Sequence, residues 1–308
     1  CNFNKGNRRR NFKGTSFGGV LILPILEVKN LTHSYDSNSA FINDAIKDIN
    51  FCIEKGEIVG IIGHTGSGKS TLVQHLNGLL KPTFGEVLFN DKDIWENPKE
   101  IRKIRSDIGL VFQYPEYQLF EETVYADIAF GPKNMGVKDA ELDSVVRDTC
   151  RMIGVKDEYL EKSPFDLSGG EKRRVAIAGV LAMRPKIIIF DEPTAGLDPV
   201  GRENVIKIIN DYRSATGATI LIVSHSMEDM AVLADRILVL NNGKLEMFDT
   251  VENVFSNGDR LRKIGLNTPI VTRVFDELKL KGLKCGGVFD VETAVNSIKE
   301  YKAGGRNA

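Results

Sequence analysis

Short apolar runs recur along this chain, several of them followed by stretches with helical spacing, and that alternation is what a largely parallel sheet with covering helices produces. Ile58, Val59, Gly60, Ile61 and Ile62 have the uninterrupted, β-branched apolarity of a strand buried on both faces, and residues 108–112, 187–190 and 219–223 repeat it. Residues 71–76 (TLVQHL) have apolar spacing suited to a helix. Residues 25–35 and 45–53 instead alternate apolar and polar positions, as half-buried antiparallel strands do, across the polar loop Asp36, Ser37, Asn38 and Ser39. Residues 85–89 begin another strand before a turn at 90–93, and residues 237–240 and 244–248 flank an Asn-Asn-Gly turn as a hairpin. Leu142, Val145, Val146, Cys150 and Ile153 follow a helical period within what reads as a helical subdomain. Residues 175–183 read as a helix closed by Arg184 and Pro185, and residues 290–301 as the clearest helix of the tail.

Between the first buried strand and its helix lies Gly63-His64-Thr65-Gly66-Ser67-Gly68-Lys69-Ser70, a glycine-rich turn that ends in a lysine. The glycines allow backbone conformations and close approach that a Cβ would hinder, so successive N–H groups can point into one concavity and take phosphate oxygens. Lys69 then reaches the β- and γ-phosphates, the Ser70 hydroxyl ligates Mg²⁺, and the helix adds the positive end of its dipole. His64 reads as a spacer within this stretch. The run ending in Asp191 and Glu192 is a second apolar strand closed by carboxylates, and ligands of open α/β sheets bind at such carboxyl ends. Asp191 suits the metal shell and Glu192 a base for water. Tyr35, just ahead of the cradle, is either an adenine platform or an ordinary strand tyrosine.

A chain of 308 residues accommodates one large α/β domain and a smaller appendage. With 42% hydrophobic and 27% charged residues and a formal net charge of -1, it offers no bulk electrostatic case for nucleic acid. No apolar stretch approaches the ~20 residues needed to span a bilayer, so the chain is not expected to form a transport path itself. Its four cysteines lack metal-ligand spacing, which fits a reducing compartment and argues against zinc. Residues 1–24 are expected to be a disordered extension rather than a signal peptide, because the apolar run after the basic Arg8-Arg9-Arg10 is short and meets Pro24. The first residue is Cys, which leaves a fragment boundary and a misplaced start both open.

The order of the cradle, Gln113, Leu167-Ser168-Gly169-Gly170-Glu171, the strand ending in Asp191 and Glu192, Ala195-Gly196-Leu197-Asp198 and His225 resembles that of the ATP-binding cassette proteins. Glu171 departs from the usual Gln of that signature. The resemblance implies an α/β P-loop ATPase domain over residues 25–248, a mixed sheet with an antiparallel β subdomain and a helical subdomain. Residues 249–308 would be a small C-terminal domain suited to dimerisation. It also implies two cassettes packed head to tail, each ATP held between the cradle of one and Ser168, Gly169 and Gly170 of the other. Tyr35 would stack on adenine, and Lys69, Ser70 and Thr71 would hold phosphates and metal. Gln113 would link Mg²⁺ and water to the partner surface, Glu192 would polarise the attacking water, and His225 would steady the γ-phosphate.

Within that family, residues 112–120 (FQYPEYQLF), 127–132 (DIAFGP) and 172–179 (KRRVAIAG) resemble the energy-coupling factor transporter ATPases. These energise uptake of vitamins and transition-metal ions together with a transmembrane coupling subunit and a substrate-binding membrane subunit. The implied location is the cytoplasmic side of the cell membrane, with a second cassette as partner in a heterodimer or a homodimer. Residues 114–120 would then receive a helix of the membrane subunit, Glu116 serving as partner for its arginine. The alternative is a soluble ATP-driven clamp of the same fold acting on DNA or ribosomes; such relatives typically carry two cassettes or coiled coils, and this chain shows neither.

Overall fold

The computed structural model describes residues 16–17, 20–21, 24–35, 44–282, 285 and 287–304. Apart from Pro24 and a two-residue pairing of Ser16–Phe17 with Val20–Leu21, the extension expected over 1–24 lies outside the described residues, as does the loop 36–39.

The buried runs assemble into a six-stranded sheet in the order Lys244–Thr250, Arg236–Asn241, Ile58–Ile62, Thr219–Val223, Ile187–Asp191 and Ile108–Val111. All neighbours are parallel except the outer pair, which is the hairpin read from the Asn-Asn-Gly turn. The alternating segments form a separate antiparallel sheet, with Asp44–Ile53, Leu26–Ser34, Phe84–Phe89 and Lys92–Asp93 in that order.

Because successive strand side chains point to opposite faces, each strand of the parallel sheet feeds two cores. Val59, Ile61, Ile189, Leu221 and Leu238 pack with Leu72, Val73 and Leu76 of the helix Lys69–Leu76 and with Leu26, Leu31, Ile49 and Phe51 of the antiparallel sheet. The cradle helix is thereby held between two sheets. Ile58, Ile62, Ile188, Phe190 and Ile222 face the other way, against the helices Val124–Asn134, Asp139–Ile153, Gly169–Leu181, Pro199–Thr216 and Met227–Leu233. Helix Gly169–Leu181 starts six residues earlier than residue 175, where the apolar spacing placed it, because the polar turn ending at Glu171 already carries helical backbone.

Beyond the hairpin, Val254, Phe255, Leu261 and Leu266 join that second core. Phe275, Val288 and Ala294, from around the helices Ile270–Leu280 and Val291–Gly304, form a small cluster of their own. Among the described residues, no helix is long and apolar enough to cross a membrane.

Candidate active site

The cradle loop leaves the strand Ile58–Ile62 and enters the helix Lys69–Leu76 through Gly68, whose φ of 101° is in the left-handed region. A Cβ at Gly68 would come within 2.7 Å of Ile46 Cγ2 and 2.8 Å of Ala45 O, and one at Gly63 would collide with Ser67 Oγ and Leu240 O. The helix has no side-chain N-cap, so its first-turn N–H groups remain for a ligand. Lys69 is buried and donates Nζ to Gly63 O at 2.7 Å and His64 O at 3.0 Å, closing the loop on itself.

A cleft of about 360 Å³ opens above this loop. Its walls bring together Thr65, Gly66, Gly68, Lys69, Ser70, Thr71, Gln113, Asp191, Glu192 and His225, with Ala45 and Val223. Apart from Ala45, which comes from the antiparallel sheet, these residues end or follow four adjacent strands at their carboxyl ends, which is where the parallel sheet puts a ligand. Ser70, Gln113 and Asp191 are among the lining residues, and their side-chain oxygens are hard donors of the type that suits Mg²⁺.

Burial dominates the electrostatics. It pushes the Asp191 and Glu192 carboxyls upward and the Lys69 ammonium downward; the opposite charges across the cleft partly offset this, as does, for Glu192, hydrogen bonding to the His225 backbone. Burial, reinforced by Lys69, also lowers His225, so its imidazole is neutral at pH 7. His225 Nε2 stands 3.2 Å from Glu192 Oε1. Glu192 itself has φ 52°, a left-handed conformation uncommon for a non-glycine residue and often met at functional sites.

Other expected site residues lie outside the cleft walls. His64 turns its ring nitrogens to Thr65 O at 2.8 Å and Asn241 Oδ1 at 3.3 Å, so its side chain braces the loop. Tyr35 is 62% exposed and its hydroxyl is 3.1 Å from Thr71 Oγ1, which ties it to the cradle helix. Ser168, Gly169 and Gly170 are exposed at the start of helix Gly169–Leu181, away from their own cradle. Glu171 accepts from Ser168 N at 2.9 Å and Ser168 Oγ at 2.6 Å, and these bonds hold its carboxyl down at about 2. The departure from Gln thus forms an anionic cap on the signature turn.

Glu116, expected to meet an arginine of a membrane subunit, is already paired within the chain: Arg173 Nε and Nη2 each hold one of its oxygens at 2.9 Å, with Arg173 only 4% exposed. The pairing spans 57 residues of sequence, so no local pattern announces it. Ala45, on the cleft wall, was likewise missed; it sits in an alternating strand with nothing in the residue type to mark it.

Beside this turn a second concavity of about 620 Å³ is lined by Gln118, Leu119, Phe120, Phe130, Met135, Val175, Ala176 and Met183, among others. Phe120 and Phe130 are 58% and 44% exposed and meet edge to face.

Residues 46–195 match the family model described as "ABC transporter". The energy-coupling factor transporter ATP-binding protein EcfA2 of Caldanaerobacter subterraneus subsp. tengcongensis is 49% identical over 92% of this chain and 99% of its own length. That of Clostridioides difficile is 48% identical over 89% and 94%. Among solved structures, cbiO1 from Clostridium perfringens, described as part of the ABC transporter complex cbiONQ, superposes with a TM-score of 0.70 at 38% identity over 83% of this chain and 99% of that one. The ATP-binding cassette MJ0796, in a dimeric post-hydrolysis state bound to ADP and Pi, gives 0.65 at 30% identity over 73% and 98%.

Proposed function

From a chain that belongs to the energy-coupling factor transporter ATP-binding proteins, a branch of the ATP-binding cassette ATPases, we propose a subunit that hydrolyses ATP to drive import of a vitamin or transition-metal ion. It works as one of two cassettes on the cytoplasmic face of the cell membrane, bound to a transmembrane coupling subunit and a substrate-binding subunit. The observation that carries the chemistry is the single cleft shared by the cradle, Gln113, Asp191, Glu192 and His225.

In this reading the backbone of residues 65–71 and the Lys69 ammonium cradle the phosphates, and the exposed ring of Tyr35 receives the adenine. Ser70, Asp191 and Gln113 would hold Mg²⁺, which supplies charge neutralisation on the phosphate oxygens. Glu192 orients and polarises water toward the γ-phosphate, burial raising its pKa and making it a better proton acceptor than an ordinary carboxylate. Neutral His225 donates a hydrogen bond to the γ-phosphate. Ser168, Gly169 and Gly170 stand outside their own chain's cleft, which supports their serving the partner's nucleotide in a head-to-tail pair.

The groove beside the turn Pro115–Gln118 suits an amphipathic helix of the coupling subunit, with Phe120 and Phe130 as apolar anchors. Replacing both exposed rings, as Phe120→Asp with Phe130→Asp, should leave ATP binding by the isolated chain within about twofold but abolish co-purification with the membrane subunits and uptake. Normal assembly and uptake by that variant would remove this groove from the proposal.

A further inference from the structure

The backbone after Glu192 is gripped from two sides, by a largely buried ion pair and by a half-exposed one. Arg173 Nη1 donates to Ala195 O at 3.1 Å and Pro193 O at 3.4 Å, while its Nε and Nη2 hold both oxygens of Glu116. On the other side, Thr194 Oγ1 donates to Asp229 Oδ2 at 2.9 Å, and Asp229 Oδ1 takes Arg202 Nε at 2.7 Å. Ala195 N–H returns to Glu192 O at 3.1 Å, so the carbonyl held by Arg173 belongs to the same tight turn as Glu192.

Glu116 lies in the turn Pro115–Gln118, which follows Gln113 and Tyr114. One guanidinium therefore joins the loop that carries Gln113 to the loop that carries Glu192. Both loops contain a left-handed non-glycine residue, Tyr114 with φ 56° and Glu192 with φ 52°. Such backbone persists only where its surroundings over-determine it. The Arg173 side chain is shaped to hold both loops at once, since its planar fork reaches a carboxylate on one edge and two carbonyls on another, which the single nitrogen of lysine cannot span.

Resting on the roles given above to Gln113 and Glu192, we propose that Arg173 is a positioning residue for ATP hydrolysis, setting the two loops in register across the cleft through Glu116 and the carbonyls of Pro193 and Ala195. A buried pair of this kind contributes little net stability but specifies geometry, so its loss should appear in the chemical step.

The test uses the assembled transporter, with ATP turnover normalised to nucleotide-binding sites titrated with a fluorescent ATP analogue. Arg173→Lys should lower kcat at least tenfold, about 1.4 kcal/mol, with KM for ATP within about twofold. Glu116→Gln, which keeps shape and removes charge, should lower kcat in the same sense. Because the two act as one unit, the double variant should be no slower than Arg173→Lys alone. Unchanged kcat per binding site in Arg173→Lys, or losses that multiply in the double variant, would overturn the proposal. Should Arg173→Lys not fold, Glu116→Gln decides alone: reduced kcat at constant KM supports it and normal kcat overturns it. Glu192→Gln is assayed alongside. If it turns over normally, the role of Glu192 fails and takes this proposal with it; if it is inactive while the other two are normal, only the role of Arg173 fails.

Discussion

Glu192→Gln replaces one carboxylate oxygen by an amide and leaves the side-chain shape, so the cradle and its hydrogen bonds stay in place. The carboxylate it removes lies 3.2 Å from His225 Nε2, has 14% of its side chain exposed, and is made more basic chiefly by burial. Loss of a positioned general base typically lowers the rate 10²–10⁴-fold, which corresponds to about 3–5 kcal/mol on the barrier. Steady-state phosphate release should fall by that factor while ATP affinity, read by fluorescent nucleotide titration, stays within about threefold. ATP should then trap the closed pair of cassettes, seen as a dimer on size exclusion. Stability follows the opposite sign. The raised pKa means that the folded chain binds this proton more tightly than the unfolded one, so the group's contribution is most favourable at low pH and declines as pH rises through the folded value. The glutamine variant should therefore melt at or above the wild-type temperature at neutral pH. Turnover within about threefold of wild type would refute the assignment of the base, since catalytic effects of this kind are far larger.

Ser168→Arg in one member of a mixed pair should impair hydrolysis at the site whose cradle belongs to the other member, measured with one cradle at a time inactivated by Lys69→Ala; a defect confined to the mutated chain's own cradle would contradict the head-to-tail site. Gly68→Ala should destabilise the chain by about 1–3 kcal/mol in denaturant melts and weaken ATP binding, because its φ of 101° and the contacts at 2.7 and 2.8 Å leave no room for a methyl group. Glu171 tests a pH dependence of the other sign: its depressed carboxyl stabilises the signature cap fully above the unfolded value near 4.5 and loses that contribution as pH falls toward about 2. The Ser168 amide resonance should titrate near that lower value, and a midpoint near 4.5 would show that the cap is not formed in solution.

Features that short-range physics encodes were legible in the chain before it folds. Gly63, Gly66 and Gly68 announce a phosphate loop because backbone freedom is a property of the residue, and the runs 58–62, 108–111, 187–190 and 220–223 announce buried strands because burial on both faces leaves no polar position. Asp191 and Glu192 could be assigned to the same cleft as Lys69 because parallel strands end on one side of their sheet. The Ser168–Glu171 cap is local too, three residues apart, but it came to light only with the helix start at Gly169, six residues before the apolar spacing begins. Long-range packing was needed to establish that Ala45 lines the cleft, that His64 faces Asn241 across 177 residues of sequence, and that Glu116 pairs with Arg173. A side chain's type states what it can bind; which of several arginines reaches a given carboxylate depends on how helix Gly169–Leu181 packs beside the turn Pro115–Gln118, and that packing is set by the whole core beneath the sheet.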